Sequence, residues 1–210
     1  MRVAVFGATG GTGRQLVRQA LALGHQVTVL ARRPDAVAER DERLRVLAGD
    51  VLAPECVAPV VAEADAVISA LGIGFHRWAT TVYSQGTGNV IDAMKAAGSR
   101  RLLCVSTSSL VLPPVQRPAE YAVGRMLHAI LRAPYADMAL MEDRVTGSGL
   151  DWTLLRAARL TNGAPTGRYR TASETKLAGC WSISRADVAG YLLANLDTAT
   201  TFQRCVEIAY

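Results

Sequence analysis

The sequence predicts a doubly wound α/β domain, a parallel sheet with helices on both faces. Three observations predict it: apolar runs of strand length, helical segments alternating with them, and a glycine-rich turn at the first strand–helix junction. Strands are expected at Arg2–Phe6, Gln26–Ala31, Leu44–Ala48, Ala66–Leu71, Arg101–Ser106, Trp152–Arg156 and Cys205–Ile208. Runs such as VAVF, VTVL and AVISAL are apolar without alternation, which strands covered on both faces require. Helices are expected near Arg14–Leu23, Pro54–Ala62, Thr80–Ala97, Ala119–Arg132, Tyr135–Thr146 and Arg185–Leu196. Gly24 and Gly98 stand where helix C-caps belong, since glycine readily takes the left-handed conformation that closes a helix. Ser184 with Asp187 makes the S-x-x-D pattern of a capped helix start. There is no internal repeat, low-complexity tract or linker, so residues 1–210 read as a single domain.

Composition narrows the function. The net charge of +5 invites a polyanion partner, but the densest basic group, Arg32, Arg33, Arg40, Arg43 and Arg45, is interleaved with Asp35, Glu39, Asp41 and Glu42. A continuous basic stripe with interleaved aromatics is what nucleic-acid binding would need, and none is present. The apolar runs are too short to span a bilayer, and the N-terminus passes straight into a first strand without a signal peptide. Cys56, Cys104, Cys180 and Cys205 are far apart, with no CxxC and no histidine at ligand spacing. They read as buried free thiols in a reducing cytoplasm, and no metal is expected.

The glycine turn carries the first chemical signal. VAVF runs into Gly7-Ala8-Thr9-Gly10-Gly11-Thr12-Gly13 and then into the helix RQLVRQALAL. Glycine is needed where backbone takes positive φ or closely approaches a pyrophosphate, and the following helix start offers free N–H groups to an anion. The GxxGxxG spacing departs from strict GxGxxG, but the surrounding βαβ unit is the context that makes it a Rossmann-type dinucleotide loop. The end of the second expected strand reads Val29-Leu30-Ala31-Arg32-Arg33. An acid there would bind the ribose hydroxyls and exclude a 2′-phosphate; arginines favour that phosphate, so the expected cofactor is NADP(H). Two solvated surface arginines are the plain structural alternative. Asp50 and Val51, after the third strand, and Ala70, Leu71 and Gly72, after the fourth, complete the expected cleft. There a carboxylate can accept from the adenine amine, and small residues leave room for ribose and diphosphate.

Together these residues resemble the atypical short-chain dehydrogenase/reductase superfamily, in the NAD(P)H-binding, NmrA-like group that includes biliverdin reductase B. The resemblance covers nearly the whole chain through FGATGGTG, VTVLAR, AGDVL, DAVISALG, TTVYSQGTGNVIDAMKAAG, SGLDWTLLR and TGRYR. It implies that Ser106 and Thr107 lie against the nicotinamide and that Ser108 lines the substrate site. It also implies that the loop around Ala158 packs on the nicotinamide end. Two departures matter. Ala157-Ala158-Arg159 stands where biliverdin reductase B has Pro-Pro-His, and Ala36 replaces a second arginine, leaving the 2′-phosphate to Arg32 and Arg33.

Most short-chain dehydrogenases pair a tyrosine with a lysine four residues on, and no such pair occurs here. Tyr121 with Arg125 is the nearest imitation and reads better as a loop tyrosine beside an exposed arginine. His25 and His128 read as structural, whereas His76 falls on the cofactor side of the sheet. Phe75, Trp78, Tyr83, Tyr121, Tyr169 and Trp181 also fall there, in or beside expected substrate-side loops near 73–80, 109–135 and 159–181. The expectation is an NADPH-dependent reductase of a planar conjugated substrate, such as a flavin, quinone or tetrapyrrole-like compound, acting as a monomer or homodimer. In it Ser108 is the catalytic candidate that orients the substrate. An NADP-using isomerase or epimerase, or a non-enzymatic redox sensor of the NmrA type, are the alternatives.

Overall fold

The computed structural model describes residues 1–74 and 76–210. Strand β1 (Arg2–Phe6) feeds α1 (Gly11–Ala22) through the glycine turn, and β2 (Gln26–Ala31) and β3 (Leu44–Ala48) extend the sheet on one side. After α2 (Pro54–Val61), β4 (Ala66–Ser69) returns to the other side of β1. There follow α3 (Ser84–Ala97), β5 (Arg101–Thr107), α4 (Pro118–Ile130), α5 (Arg132–Thr146) and β6 (Asp151–Ala157). The chain ends through β7 (Arg159–Thr161), β8 (Arg170–Ser173), β9 (Ser182–Ser184), α6 (Arg185–Ala194) and β10 (Arg204–Ala209). The main sheet has the order β3-β2-β1-β4-β5-β6-β10-β8, and β7 and β9 form a separate parallel pair. The fold is the expected doubly wound Rossmann-type sheet.

Alternation along each strand divides the core. Val3 and Val5 of β1 pack with Leu16 and Val17 of α1 and Val188 and Leu192 of α6, whereas Ala4 and Phe6 face Val57, Met94 and Met141 on the other side. Burying each such Phe or Leu contributes about 1.5–3 kcal/mol. Arg101 then ties the sheet to the end of α6, donating to the carbonyls of Asn195 (2.7 Å), Leu196 (2.9 Å) and Asp151 (2.7 Å). Among the described residues no helix is long and apolar enough to cross a membrane.

The structure corrects several expectations. β4 stops at Ser69 and not Leu71, because its neighbour β1 ends at Phe6 and turns away at Gly7. α3 starts at Ser84 and not Thr80: the Asp137 carboxylate of α5 accepts from the amides of Tyr83 (2.9 Å) and Ser84 (3.4 Å) and from the Ser84 hydroxyl, capping it there. β5 runs one residue further, so Ser108 opens a 3-10 turn (Ser108–Leu110) instead of following a strand that ends at Ser106. The sheet is not wholly parallel, since β8 joins its edge antiparallel to β10. β7, β8 and β9 were not expected, being short and largely polar, without the apolar run that marks a buried strand. All four cysteines are free, but only Cys104 is fully buried.

Candidate functional site

The order 3-2-1-4 places the reversal of strand order between the parallel neighbours β1 and β4, where ligands enter doubly wound sheets beyond the strands' carboxyl ends. A cavity of about 1130 Å³ opens there. Its floor is the glycine turn, from which Gly7, Thr9, Gly10, Gly11 and Thr12 line it. Gly7 has φ +83°, and a Cβ on it would stand 2.3 Å from the Ala70 carbonyl oxygen, so only glycine is accommodated. Gly13 does not reach the cavity. A Cβ there would meet the Gly7 carbonyl oxygen at 2.1 Å, so its absence lets α1 pack against the turn. α1 has no side-chain cap and no acid in its first turn, which leaves its first N–H groups available to an anion.

Arg32, Arg33, Asp50 and Val51 line the cavity as well, as do Ala70, Leu71 and Gly72, which follow β4. Both arginines are exposed, and among the described residues neither has an ion-pair partner. One oxygen of Asp50 accepts from the Leu52 amide at 3.0 Å, so its carboxylate is held at the rim. Arg185, at the start of α6, was not foreseen. Its side chain would lie 2.6 Å from a Cβ built on Gly11, beside the start of α1, and its guanidinium donates to Asn162 Oδ1 at 2.6 Å.

The opposite end is built from the β5 terminus, the loop after β6 and the segment between β8 and β9. Ser106, Thr107, Ser108 and Ala158 all line the cavity. The hydroxyl of Ser106, however, donates to Glu142 Oε1 at 2.6 Å, and Glu142 also accepts from Arg156 Nε at 3.0 Å. That hydroxyl is committed to a buried ion pair. Thr107 Oγ1 lies 2.8 Å from Ser109 Oγ, which lies 2.6 Å from the Tyr135 hydroxyl. Burial pushes the Tyr135 phenol up, against the opposing hydrogen bonds of Ser109 and Thr107. Ser108 Oγ accepts from Lys176 Nζ at 2.7 Å, donates to Glu207 Oε1 at 3.2 Å and lies 3.2 Å from Cys180 Sγ.

The other candidates divide. His76 lines the cavity and stacks on Trp78 with ring centroids 4.1 Å apart. Tyr83 and Trp181 line it as well, as does Tyr135, but Trp78, Tyr121 and Tyr169 do not. Tyr169 packs instead on Tyr191 and the α1/α6 core, Tyr121 belongs to α4 and not to a loop, and Phe75 lies outside the described residues. His128 Nε2 is 2.9 Å from the Ser109 carbonyl oxygen, and His25 meets the N-terminal amine at 3.3 Å. Sequence reasoning missed Lys176, Glu207, Tyr135 and Arg185. Two signals were available: Lys176 is one of only two lysines, and Glu207 is an acid inside the otherwise apolar strand CVEIA.

Residues 7–199 match the NAD(P)H-binding family. The chain belongs to that family. The chain is 30% identical over 173 residues to the photosystem II assembly factor Ycf39 of Synechocystis, covering 78% of this chain. It spans 46% of that relative's length, about half. Solved structures of the same fold include a short-chain dehydrogenase/reductase of Veillonella parvula in complex with NADP (TM-score 0.77, 17% identity, covering 100% of this chain and 94% of that one). Another is ChuY, an anaerobillin reductase from Escherichia coli O157:H7 (TM-score 0.78, 23% identity, covering 100% and 97%). The residues of this NAD(P)H-binding chain fit a dinucleotide: a turn whose Gly7 and Gly13 admit no Cβ, an uncapped helix start beside it, and at the rim two guanidiniums without an ion-pair partner among the described residues.

Proposed function

We propose that this chain is an NADPH-dependent reductase of a planar conjugated substrate, a flavin, quinone or tetrapyrrole-like compound, working in the cytoplasm as a monomer or homodimer. The observation that carries the reading is the shape of the site. One cavity runs from the glycine turn past the β5 hydroxyls to an apolar roof formed by Val123, Leu127 and Ile130 of α4. In this reading the amides of Gly11 and Thr12 hold the diphosphate, with Arg185 alongside as counter-charge. Arg32 and Arg33 take the 2′-phosphate, and Asp50 the adenine amine. Thr107, Ser108 and Ala158 flank the nicotinamide. Reduced nicotinamide, when bound, supplies hydride. The protein then has to orient an acceptor, exclude water and provide a proton, and α4 with Tyr83, Tyr135 and Trp181 offers flat apolar walls for a conjugated ring system. The fold shared with an anaerobillin reductase agrees with a substrate of this shape.

Steady oxidation of NADPH in the presence of a panel of flavins, quinones and redox dyes is the expected result. Tight NADPH binding with no turnover on any acceptor would overturn it in favour of a redox sensor.

A further inference from the structure

The reductase reading leaves the proton without a source, since no tyrosine–lysine pair of the usual spacing exists. The structure contains another lysine in a place where lysines are rarely kept. Lys176 lies on the segment between β8 and β9 with its side chain only 13% exposed, and Glu207 and Ser108 beside it are each 4% exposed. Its ammonium is 3.0 Å from Glu207 Oε1, donates to Ser108 Oγ at 2.7 Å, and also donates to the Ser108 carbonyl oxygen. Withdrawing an ammonium and a carboxylate from water is costly, and such pairs often contribute little net stability. The other oxygen of Glu207 already fastens this segment by accepting from the Leu177 amide at 2.9 Å. Anchoring therefore does not require Lys176, nor does it explain why the ammonium is turned onto a hydroxyl that lines the main cavity.

A second cavity, of about 80 Å³, adjoins Lys176 and Glu207 on another side and is lined also by Arg156, Glu174, Thr175 and Cys205. It is roomy enough for water, to which Arg156, Glu174 and Glu207 offer polar partners beside the apolar Val111. Lys176 thus lines both cavities, and its ammonium donates to Ser108, which lines only the large one. The titratable and charged groups facing them are Glu207 from β10, Cys180 from the same segment, and Arg156, Glu174 and Cys205 around the small cavity.

We propose that Lys176 and Ser108 form the proton relay of the reduction, with Glu207 holding the ammonium in place. The proposal rests on the reductase reading. Hydride adds two electrons and one hydrogen to the conjugated acceptor and leaves an electron pair on its conjugated oxygen or nitrogen. The Ser108 O–H bond breaks as that atom takes the proton, and Ser108 Oγ recovers one from Lys176 Nζ. The amine left on Lys176 takes a proton from solvent water entering through the small cavity, and the hydroxide so formed leaves to bulk solvent. Before transfer the Ser108 hydroxyl points to Glu207; rotation about its C–O bond turns it to the substrate. The substrate class follows: an acceptor such as a quinone or enone, whose heteroatom must gain a proton.

The test compares Lys176→Met, Lys176→Arg and Ser108→Ala with wild type on two acceptors. Menadione needs hydride and a proton, whereas the cation methylene blue needs hydride alone. Positioned proton transfer is worth 10²–10⁴-fold, so Lys176→Met is expected to lower kcat on menadione about a hundredfold. NADPH affinity by calorimetry should be retained, and kcat on methylene blue should fall far less than kcat on menadione, because hydride transfer to the cation needs no positioned proton. Lys176→Arg keeps the ion pair but cannot release its proton, so it should be equally slow on menadione. Ser108→Ala should follow Lys176→Met and exceed the two- to fifteenfold loss, about 0.5–1.5 kcal/mol, of a merely orienting hydrogen bond. A readout free of turnover is alkylation of Cys180 by iodoacetamide, mapped by mass spectrometry. Losing the cation should slow it in Lys176→Met but not in Lys176→Arg.

Equal slowing on both acceptors, or full menadione activity in Lys176→Met, would overturn the relay, as would unchanged Cys180 labelling. Failure of wild type to reduce either acceptor would overturn the reductase reading and the relay with it; failure of the relay alone leaves wild-type turnover intact.

Discussion

Cofactor choice is the most direct consequence of the site. Arg32 and Arg33 follow β2, line the cavity and have no carboxylate within ion-pairing distance among the described residues. A charge-assisted hydrogen bond to phosphate is worth about 1.5–3 kcal/mol. Both guanidiniums are exposed, so solvent screening places the expected gain at the low end, about tenfold in affinity. Wild type should therefore bind NADPH at least about tenfold more tightly than NADH by isothermal titration calorimetry. Arg32→Ala/Arg33→Ala should lose most of that preference by weakening NADPH alone, because neither side chain has a partner on NADH. The preference should also shrink between low and high salt, as exposed charge pairs do. Equal affinities of wild type for the two dinucleotides would refute the assignment. An undiminished preference in the double variant would move the phosphate contact to another group.

Further perturbations test the frame around the site. Gly13→Ala places a Cβ 2.1 Å from one backbone atom and 2.7 Å from another, so α1 must shift; NADPH affinity should fall in calorimetry while far-ultraviolet circular dichroism stays native. Gly10→Val should abolish NADPH binding with the same native spectrum, and retained affinity would put the phosphate site elsewhere. Asp187 accepts from the Thr166 amide, the Thr166 hydroxyl and the Gly167 amide (each 2.9 Å), from Ser184 Oγ (3.0 Å) and from the Tyr210 hydroxyl (2.6 Å). Burial opposes its charge, but the Tyr210, Gly167 and Thr166 donors outweigh it and hold the carboxyl below its ordinary range. A depressed folded pKa stabilises above the ordinary carboxylate pKa and loses that contribution as pH falls through the folded value. In urea unfolding Asp187→Asn should therefore cost about 2 kcal/mol at pH 7, with the gap closing below about pH 4; a pH-independent gap would refute the linkage. Glu142→Ala strands Arg156 and the Ser106 hydroxyl together, and should cost about 3 kcal/mol in the same assay.

The cofactor half of the molecule was legible because its signals are local and its constraints are backbone constraints. The glycine turn, the run into α1 and the arginines after β2 are contiguous stretches whose strand–turn–helix grammar fixes where they meet. β1, β2 and β3 accordingly have the boundaries read from hydrophobic runs alone. Errors arose where a distant residue decided the outcome. Thr80 looks like a helix start until Asp137 of α5, more than fifty residues on, takes the amides at Tyr83 and Ser84. The polar RTAS segment becomes a strand because the β10 edge is open to it.

The substrate end was hidden for the same physical reason carried further. Ser108, Lys176 and Glu207 come from a turn after β5, a loop after β8 and the middle of β10, with no periodicity or motif joining them. What does mark them is cost. A strand whose other buried residues, Val206, Ile208 and Ala209, are all apolar has no use for a carboxylate unless something must be held against it. A buried lysine likewise needs a counter-charge. Each pays the other's desolvation, and the chain's scarcity of lysine makes the meeting less a matter of chance. Glu207→Gln separates the holding role from the donating one. It preserves shape and the Leu177 contact but removes the charge that keeps Lys176 against Ser108. If the carboxylate only holds, Glu207→Gln should lower kcat on menadione less than Lys176→Met does, with methylene blue unaffected. A loss as complete as that of Lys176→Met would instead make Glu207 itself part of the proton path, and an unchanged kcat would deny the ion pair any part in catalysis.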